Sequence, residues 1–468
     1  MKNKELISSG NPFKAVIIFS LPSILAMLVN AIYNIVDKIF IGNFVSSYAL
    51  AGLQVVNPLL FLSFSVMVMF GLGTASYASN KLGEGNTKEA NKIFNNGLIY
   101  GSIIVIIIQI LFFIFQNNLL ALGGAKEDNF EYASEYYRII ILGFLFQFIS
   151  YFFTMNLRSE GRPLISMLAQ ITGCVTNILL DALFIIVFKM GVFGAAFATL
   201  LGHLANFMVG LSFYLFSKNK VFSISIKDGL KFNGNIISQI SSIGLSSAVL
   251  NISSSVSILV FNNVIKDYPN ALSILAILSS LDQICILPCV GIRQGILPIL
   301  GYNYGEKNYK RMFKIWGAGM VYGVIYGLLM CSMIMLFPTI FIDLFVNNES
   351  IEIVSEAAKI CSYYQIGLII ISSNMNASAF YQATREKGKA VVLSMMRQFL
   401  FLVPLLYALD LSFGQSGVWM STPISDFLSS ISAIILFFFT YMRFKKTGYL
   451  NKRDLLLDLK ENDRRSYT

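Results

Sequence analysis

Residues 81–94 read KLGEGNTKEANKIF, and residues 303–316 read NYGEKNYKRMFKIW. At a constant offset of 303 − 81 = 222, Gly83, Glu84, Asn86, Lys88, Lys92 and Ile93 fall on Gly305, Glu306, Asn308, Lys310, Lys314 and Ile315. Both stretches are short basic loops between long apolar runs. A second echo has nearly the same offset: GAAFAT from Gly194 against GVWMST from Gly417, with 417 − 194 = 223. One half-protein used twice, in an apolar chain, is the pattern of a two-lobed transporter that rocks one half against the other.

Composition points to the bilayer. Hydrophobic residues make up 56% of the 468 and charged ones only 13%, against about 45–50% and 25% in soluble domains. Many runs reach about 20 apolar residues, enough to cross a hydrocarbon core as helix. The five cysteines lie inside such runs without metal-ligand spacing and read as filler.

Twelve spans are predicted, near 13–41, 48–79, 94–117, 134–157, 164–188, 191–216, 236–265, 270–300, 313–341, 357–381, 390–410 and 414–442. The chain then divides into an N-terminal six-helix lobe (1–217), a polar linker (218–235), a C-terminal six-helix lobe (236–442) and a basic tail (443–468). Six is even, so both halves enter from the same face and the repeat is parallel. With the N-terminus inside, 27 of the 35 Lys and Arg fall on the inner side, six on the outer, and Arg293 and Arg397 within spans. That bias predicts cytoplasmic termini in a multi-pass plasma-membrane protein. The net charge of +10 then reports topology and attraction to anionic membrane lipid, with no nucleic-acid partner expected.

Buried polar groups mark function, because a carboxylate in mid-span costs about 3 kcal/mol on insertion scales. The first span carries Asn30, Tyr33, Asn34 and Asp37 on one helical face. The fifth carries Asn177 and Asp181, and the sixth Thr199, His203 and Asn206. Counted from the outer ends of their spans, Asp37, Asp181 and Thr199 sit at a common depth of roughly 9–14 Å. Two carboxylates, an amide and a hydroxyl at one level can carry a proton or hold a small hard cation such as Na⁺. Interhelical hydrogen bonding alone would also account for Asn177 and Thr199.

The second half does not repeat this set, since Asp37 falls on Leu259 at the 222 offset. It has Asp282 and Gln283 on the eighth span and Asp426 on the twelfth, near mid-membrane. These can face a cationic substrate or serve as structural partners for Arg293 or Arg397, though Arg293 is eleven residues from Asp282, too far along one helix for direct pairing. His203 reads either as a packing residue or as a proton relay. The eighteen Met and abundant Phe suit an adaptable cavity for flat cations and equally suit lipid. No Walker or Rossmann motif is present, so an ATPase is excluded and transport must be ion-driven; no cofactor is expected.

The stretches FSLPSILAMLVNAIYNIVDKIFIG (19–42), KLGEGNTKEA (81–90), LRSEGRP (157–163), NILLDALFIIVFKMGVFGAAFAT (177–199) and GIRQGILPILGYNYGEKNYKR (291–311) resemble the multidrug and toxic compound extrusion (MATE) family. Within it they resemble the MepA-like branch of drug/cation antiporters. The likeness implies an all-α membrane protein with twelve transmembrane helices in two pseudo-symmetric six-helix lobes, arranged as a V. It also implies a monomeric, non-enzymatic exporter of cationic drugs or dyes in exchange for H⁺ or Na⁺. By matching position, its cation site maps to Asp37, Asn177, Asp181 and Thr199, with Asn156 a further member, and Pro22 matches the site of a bend in helix 1. The absence of acids at Ser253–Ser257 and Asn374 argues against a second-lobe sodium site, and Arg293 stands where an apolar residue is expected. A lipid-linked saccharide flippase shares the architecture and is the alternative; it would want a basic central cavity.

Overall fold

The computed structural model describes residues 4–45, 47–122, 127–343 and 351–450. The sequence-predicted tail beyond Leu450 lies outside the described residues. Twelve membrane helices follow in order: α1 (Pro12–Phe44), α2 (Ser47–Gly83), α3 (Thr87–Ile114), α4 (Glu127–Ser159), α5 (Pro163–Asp181, continued by a π-helical turn Ala182–Val187) and α6 (Gly191–Phe216). The second set is α7 (Gly234–Ile265), α8 (Ala271–Gly305), α9 (Tyr309–Leu336), α10 (Ile351–Tyr364, a 3₁₀ turn, then Ile371–Ala383), α11 and α12. Helix α11 begins at Lys387 and passes through a π turn, Met396–Phe401. The last long stretch, Leu402–Thr447, is broken by the left-handed Gly414, where α11 gives way to α12. Among the described residues, ten candidate spans are long and continuous enough to cross a membrane by themselves. The difference from twelve has two causes: α10 is interrupted, and α11 runs into α12.

The repeat seen in the sequence is present in the backbone. Asn86 and Asn308 each cap the following helix, accepting the N–H of Glu89 and of Arg311. Just before them, Gly85 and Lys307 both adopt positive φ. Gly191 and Gly414, related by the 223 offset, both do the same at the ends of α5 and α11. Helix α3 starts seven residues before its apolar run, because Asn86 nucleates two polar turns ahead of it.

The lobes touch at the end of the molecule that carries the N-terminus. There a Cβ on Gly83 would collide with the carbonyl of Tyr302, and one on Gly305 with the carbonyl of Asn80, a reciprocal pair about the pseudo-two-fold. Gly73 sits against Ile240, Gly244 against Met69, and Gly295 against Ser20 in the same way. Hydrogen bonds from Ser79 to the Pro298 carbonyl (2.7 Å) and from Asn80 to the Ala383 carbonyl (3.2 Å) cross the junction. One apolar core runs through this end into both lobes, while a second is confined to α7–α12. Toward the other end, α1 exposes Ile32, Ile35 and Ile39, and α7 exposes Ile258 and Leu259, so the lobes part as a V.

Two short helices each strap the chain ahead of one lobe onto the other lobe. Lys4–Ser8 docks on α9, where Arg311 donates to the carbonyls of Leu6, Ile7 and Gly10. Ile226–Gly229, in the linker, docks on α3 through Asn95 and Asn96. Ahead of it Phe222 is fully buried and stacks on Phe94 at 5.0 Å.

Candidate ion and substrate site

Helices α1, α4, α5 and α6 bring their polar faces together inside the first lobe. Asp181 is fully buried at the last α-helical position of α5, and Asp37 on α1 is 8% exposed. The two carboxylates lie within electrostatic range of each other, and Tyr33 and Tyr136 lie within range of both. Asn177, one turn before Asp181, donates its amide N–H to Thr199 Oγ1 at 3.4 Å. Tyr136 approaches Thr199 from α4.

The hydrogen-bond inventory of this cluster is short of donors. Neither carboxylate oxygen of Asp181 and not the Oδ1 of Asn177 has a hydrogen-bond partner, although all three are buried. A buried acceptor left without a donor costs about 1–3 kcal/mol, more when charged. Acceptors converging without donors fit an occupant that supplies positive charge, a proton or a small hard cation held by oxygen. The π turn Ala182–Val187 begins directly after Asp181, and such turns recur at functional sites because they offset a helix face by one residue.

Sequence reasoning named five of these six residues, Tyr33 as a cavity residue, and missed Tyr136. Its signal was weak: Tyr136 sits in the polar stretch 134–138 near the start of α4, and only its common depth with Thr199 could have marked it. Asn156 is not brought to the cluster. It lies twenty residues beyond Tyr136 on the same continuous helix, about 30 Å along the axis, and bonds to the Phe152 carbonyl. Pro22 is buried inside α1, which runs helically from Pro12 to Phe44, so the chain holds helix 1 continuous at that proline. Of the expected cavity residues, Asn30 and Asn34 are exposed on α1 and bonded to each other at 2.9 Å. His203 is half-buried, and Gln283 is exposed on α8.

In the second lobe the charges pair. Arg397, in the π turn of α11, donates through Nε to Asp426 at 2.6 Å and lies 3.7 Å from Asp282. The carbonyl groups that the π turn leaves open are taken by Ser425, which bonds to Arg397, and by Ser257, which bonds to Gln398. Asn374 is likewise committed to the Leu393 and Ser429 carbonyls. Arg293 is elsewhere, bonded to Ser247 at 3.0 Å.

Comparison with known proteins matches the two-lobed fold. The MatE family model matches residues 22–183 and 242–408, one segment in each lobe. The chain is 26% identical over 440 residues to the multidrug export protein MepA of Staphylococcus aureus, covering 93% of this chain and 96% of that one. It is 25% identical over 446 residues to MepA of Staphylococcus saprophyticus, with the same coverage. Among solved structures, the outward-facing conformation of a multidrug resistance MATE family transporter superposes with a TM-score of 0.91 at 25% identity, over 96% of this chain and 99% of that one.

Proposed function

Since this chain belongs to the MatE family, we propose that it exports multiple drug-like compounds across the plasma membrane, driven by an inward flow of H⁺ or Na⁺. The reading rests on one observation above the others: Asp181 is buried with both oxygens lacking donors, beside Asp37 and the free Asn177 oxygen. Asp37, Asn177, Asp181 and Thr199 are the coupling set, with Tyr33 and Tyr136 closing it.

The excess of Lys and Arg at the closed end supports cytoplasmic termini. In that orientation the V opens outward. From outside, H⁺ or Na⁺ reaches the acids and neutralises them, which removes the repulsion between Asp37 and Asp181. The α1 face bearing Asn30, Tyr33 and Asn34 repacks against α5, and the substrate leaves. The neutral lobe then rocks, loses its ion to the cytoplasm and accepts new cargo. One charge crossing 100 mV supplies about 2.3 kcal/mol, and one pH unit about 1.4 kcal/mol more. Together these sustain a gradient of several hundred-fold per ion.

The test is ethidium efflux from everted vesicles carrying wild type, Asp37→Asn or Asp181→Asn. Each variant is expected to lose ion-dependent transport while retaining membrane expression. Unchanged transport in both would overturn the assignment.

A further inference from the structure

The linker between the lobes turns three large apolar side chains outward. Ile226, Leu230 and Phe232 are 64%, 60% and 68% exposed. Its backbone is turned inward instead, onto a row of polar side chains along α3. Asn91 and Asn95 accept the N–H groups of Ser223 and Ser225 at 2.8 and 2.7 Å. Asn95 and Asn96 donate to the carbonyls of Ser223 and Asp228, and Tyr100 donates to that of Leu230 at 3.2 Å. Gly229 is pressed so closely on α3 that a Cβ there would collide with the Ile99 side chain.

These contacts lie where α3 enters the bilayer. Lys92 is its last charged residue, and Tyr100 stands eight residues further on, about 12 Å along the axis. From Tyr100 the exposed residues Ile103, Ile107, Ile110 and Ile114 continue along one helical face, the face that a membrane helix presents to lipid. Phe232 packs edge-on against Tyr100 at 5.2 Å, so the apolar side of the linker is continuous with that face. A segment at the membrane surface needs its backbone groups bonded within the protein, and the amides of α3 meet that need here. Charge agrees with this placement. Lys218, Lys220, Lys227 and Lys231 stand against one acid, Asp228, which is itself bonded to Ser225 at 3.0 Å and paired with Lys231 at 3.4 Å. An apolar face flanked by lysines suits the headgroup boundary of an anionic leaflet.

We propose that the linker is a membrane-surface anchor at the closed end of the V. Ile226, Leu230 and Phe232 enter the boundary between headgroups and acyl chains beside Tyr100, and Lys227 and Lys231 contact anionic phospholipid headgroups. The partner is the bilayer, because the apolar side of the linker prolongs the surface that α3 already gives to it. Asn233, directly after, caps α7, so the anchor fixes the chain where the first lobe hands over to the second.

The test reads depth with spin labels on the full-length protein in nanodiscs, at Leu230→Cys and Phe232→Cys; the five native cysteines are buried. Ile107→Cys and Lys88→Cys, both exposed on α3, supply the lipid and water references. Each label is exposed to oxygen, which concentrates among acyl chains, and to a water-soluble nickel chelate. In discs of phosphatidylcholine with phosphatidylglycerol, the ratio of oxygen to nickel collisions at positions 230 and 232 is expected to exceed that at position 88 several-fold. In discs of phosphatidylcholine alone, or with Lys227→Gln and Lys231→Gln together, it is expected to fall toward the water reference while position 107 is unchanged, which also shows that the protein stays inserted. Ratios at 230 and 232 equal to that at 88 in the anionic discs would overturn the anchor. High ratios that ignore both lipid charge and the lysine substitutions would overturn the headgroup contact. Depth in a nanodisc does not depend on ion coupling or on which face is cytoplasmic, so the export reading stands or falls separately.

Discussion

Arg397 donates to Asp426 across 2.6 Å inside the second lobe, in the helix that corresponds to the one carrying Asp181 in the first. Each helix contains a π turn, Ala182–Val187 directly after Asp181 in α5 and Met396–Phe401 around Arg397 in α11. The second lobe therefore holds Asp426 with a matched cation, whereas both carboxylate oxygens of Asp181 in the first lack a hydrogen-bond partner. In the proposed export reading, this asymmetry separates a structural charge cluster from a coupling one.

Removing the cation in the second lobe should expose the difference. Arg397→Met strands Asp426 and Asp282, and breaking a buried pair in this way costs about 3–5 kcal/mol. The apparent melting temperature in detergent is expected to fall sharply. Arg397→Met with Asp426→Leu, which leaves only the partly exposed Asp282 without its cation, is expected to recover part of it.

Glu160 sets a pH dependence at the linker. Its carboxylate, in the turn after α4, accepts the backbone N–H groups of Val221 and Phe222 at 3.1 and 3.0 Å. Burial pushes it up to about 7, outweighing those two bonds. The native chain thus holds this proton more tightly than the unfolded chain does. The resulting stabilisation is fully present below the ordinary value of 4.5 and is lost as pH rises toward about 7. Glu160→Gln is expected to flatten that decline in melting temperature between about pH 4.5 and pH 7. Parallel profiles for variant and wild type would count against it.

The reciprocal glycines should govern which end is open. Gly83→Ala and Gly305→Ala each drive a methyl into a carbonyl of the opposite lobe, which no rotamer change relieves. Spin labels at Ile39 and Leu259, exposed on the parted halves of α1 and α7, are expected to report a shift toward shorter distances in either variant. An unchanged distribution would mean that the junction yields elsewhere.

Arg311 should hold the N-terminal strap. Arg311→Ala removes three bonds to the carbonyls of Leu6, Ile7 and Gly10. Hydrogen exchange over residues 4–10 is expected to accelerate, by about tenfold or more for charge-assisted bonds, with the exchange of α9 little altered.

Much of this was legible in the chain because it follows from local pattern. The repeat through Asn86 and Asn308 announced two equivalent segments, and the apolar runs announced the spans. The common depth of Asp37, Asp181 and Thr199 followed from helix rise alone. What the sequence hid depends on packing between distant segments. The 3₁₀ break in α10 is set by Gly367, where a Cβ would strike Asp426. The partner of Arg158 is Gln294, 136 positions away. Tyr136 carries no pattern that separates it from the neighbouring tyrosine, Tyr137, which packs into the apolar core.

The most direct measurement is dye transport by the purified protein in liposomes, under an imposed H⁺ or Na⁺ gradient, for wild type and Asp181→Asn. Wild type is expected to move ethidium uphill with at least one of the two gradients, and Asp181→Asn to bind ethidium yet move none. Gradient-driven transport by Asp181→Asn at the wild-type rate would contradict ion capture by the buried acids.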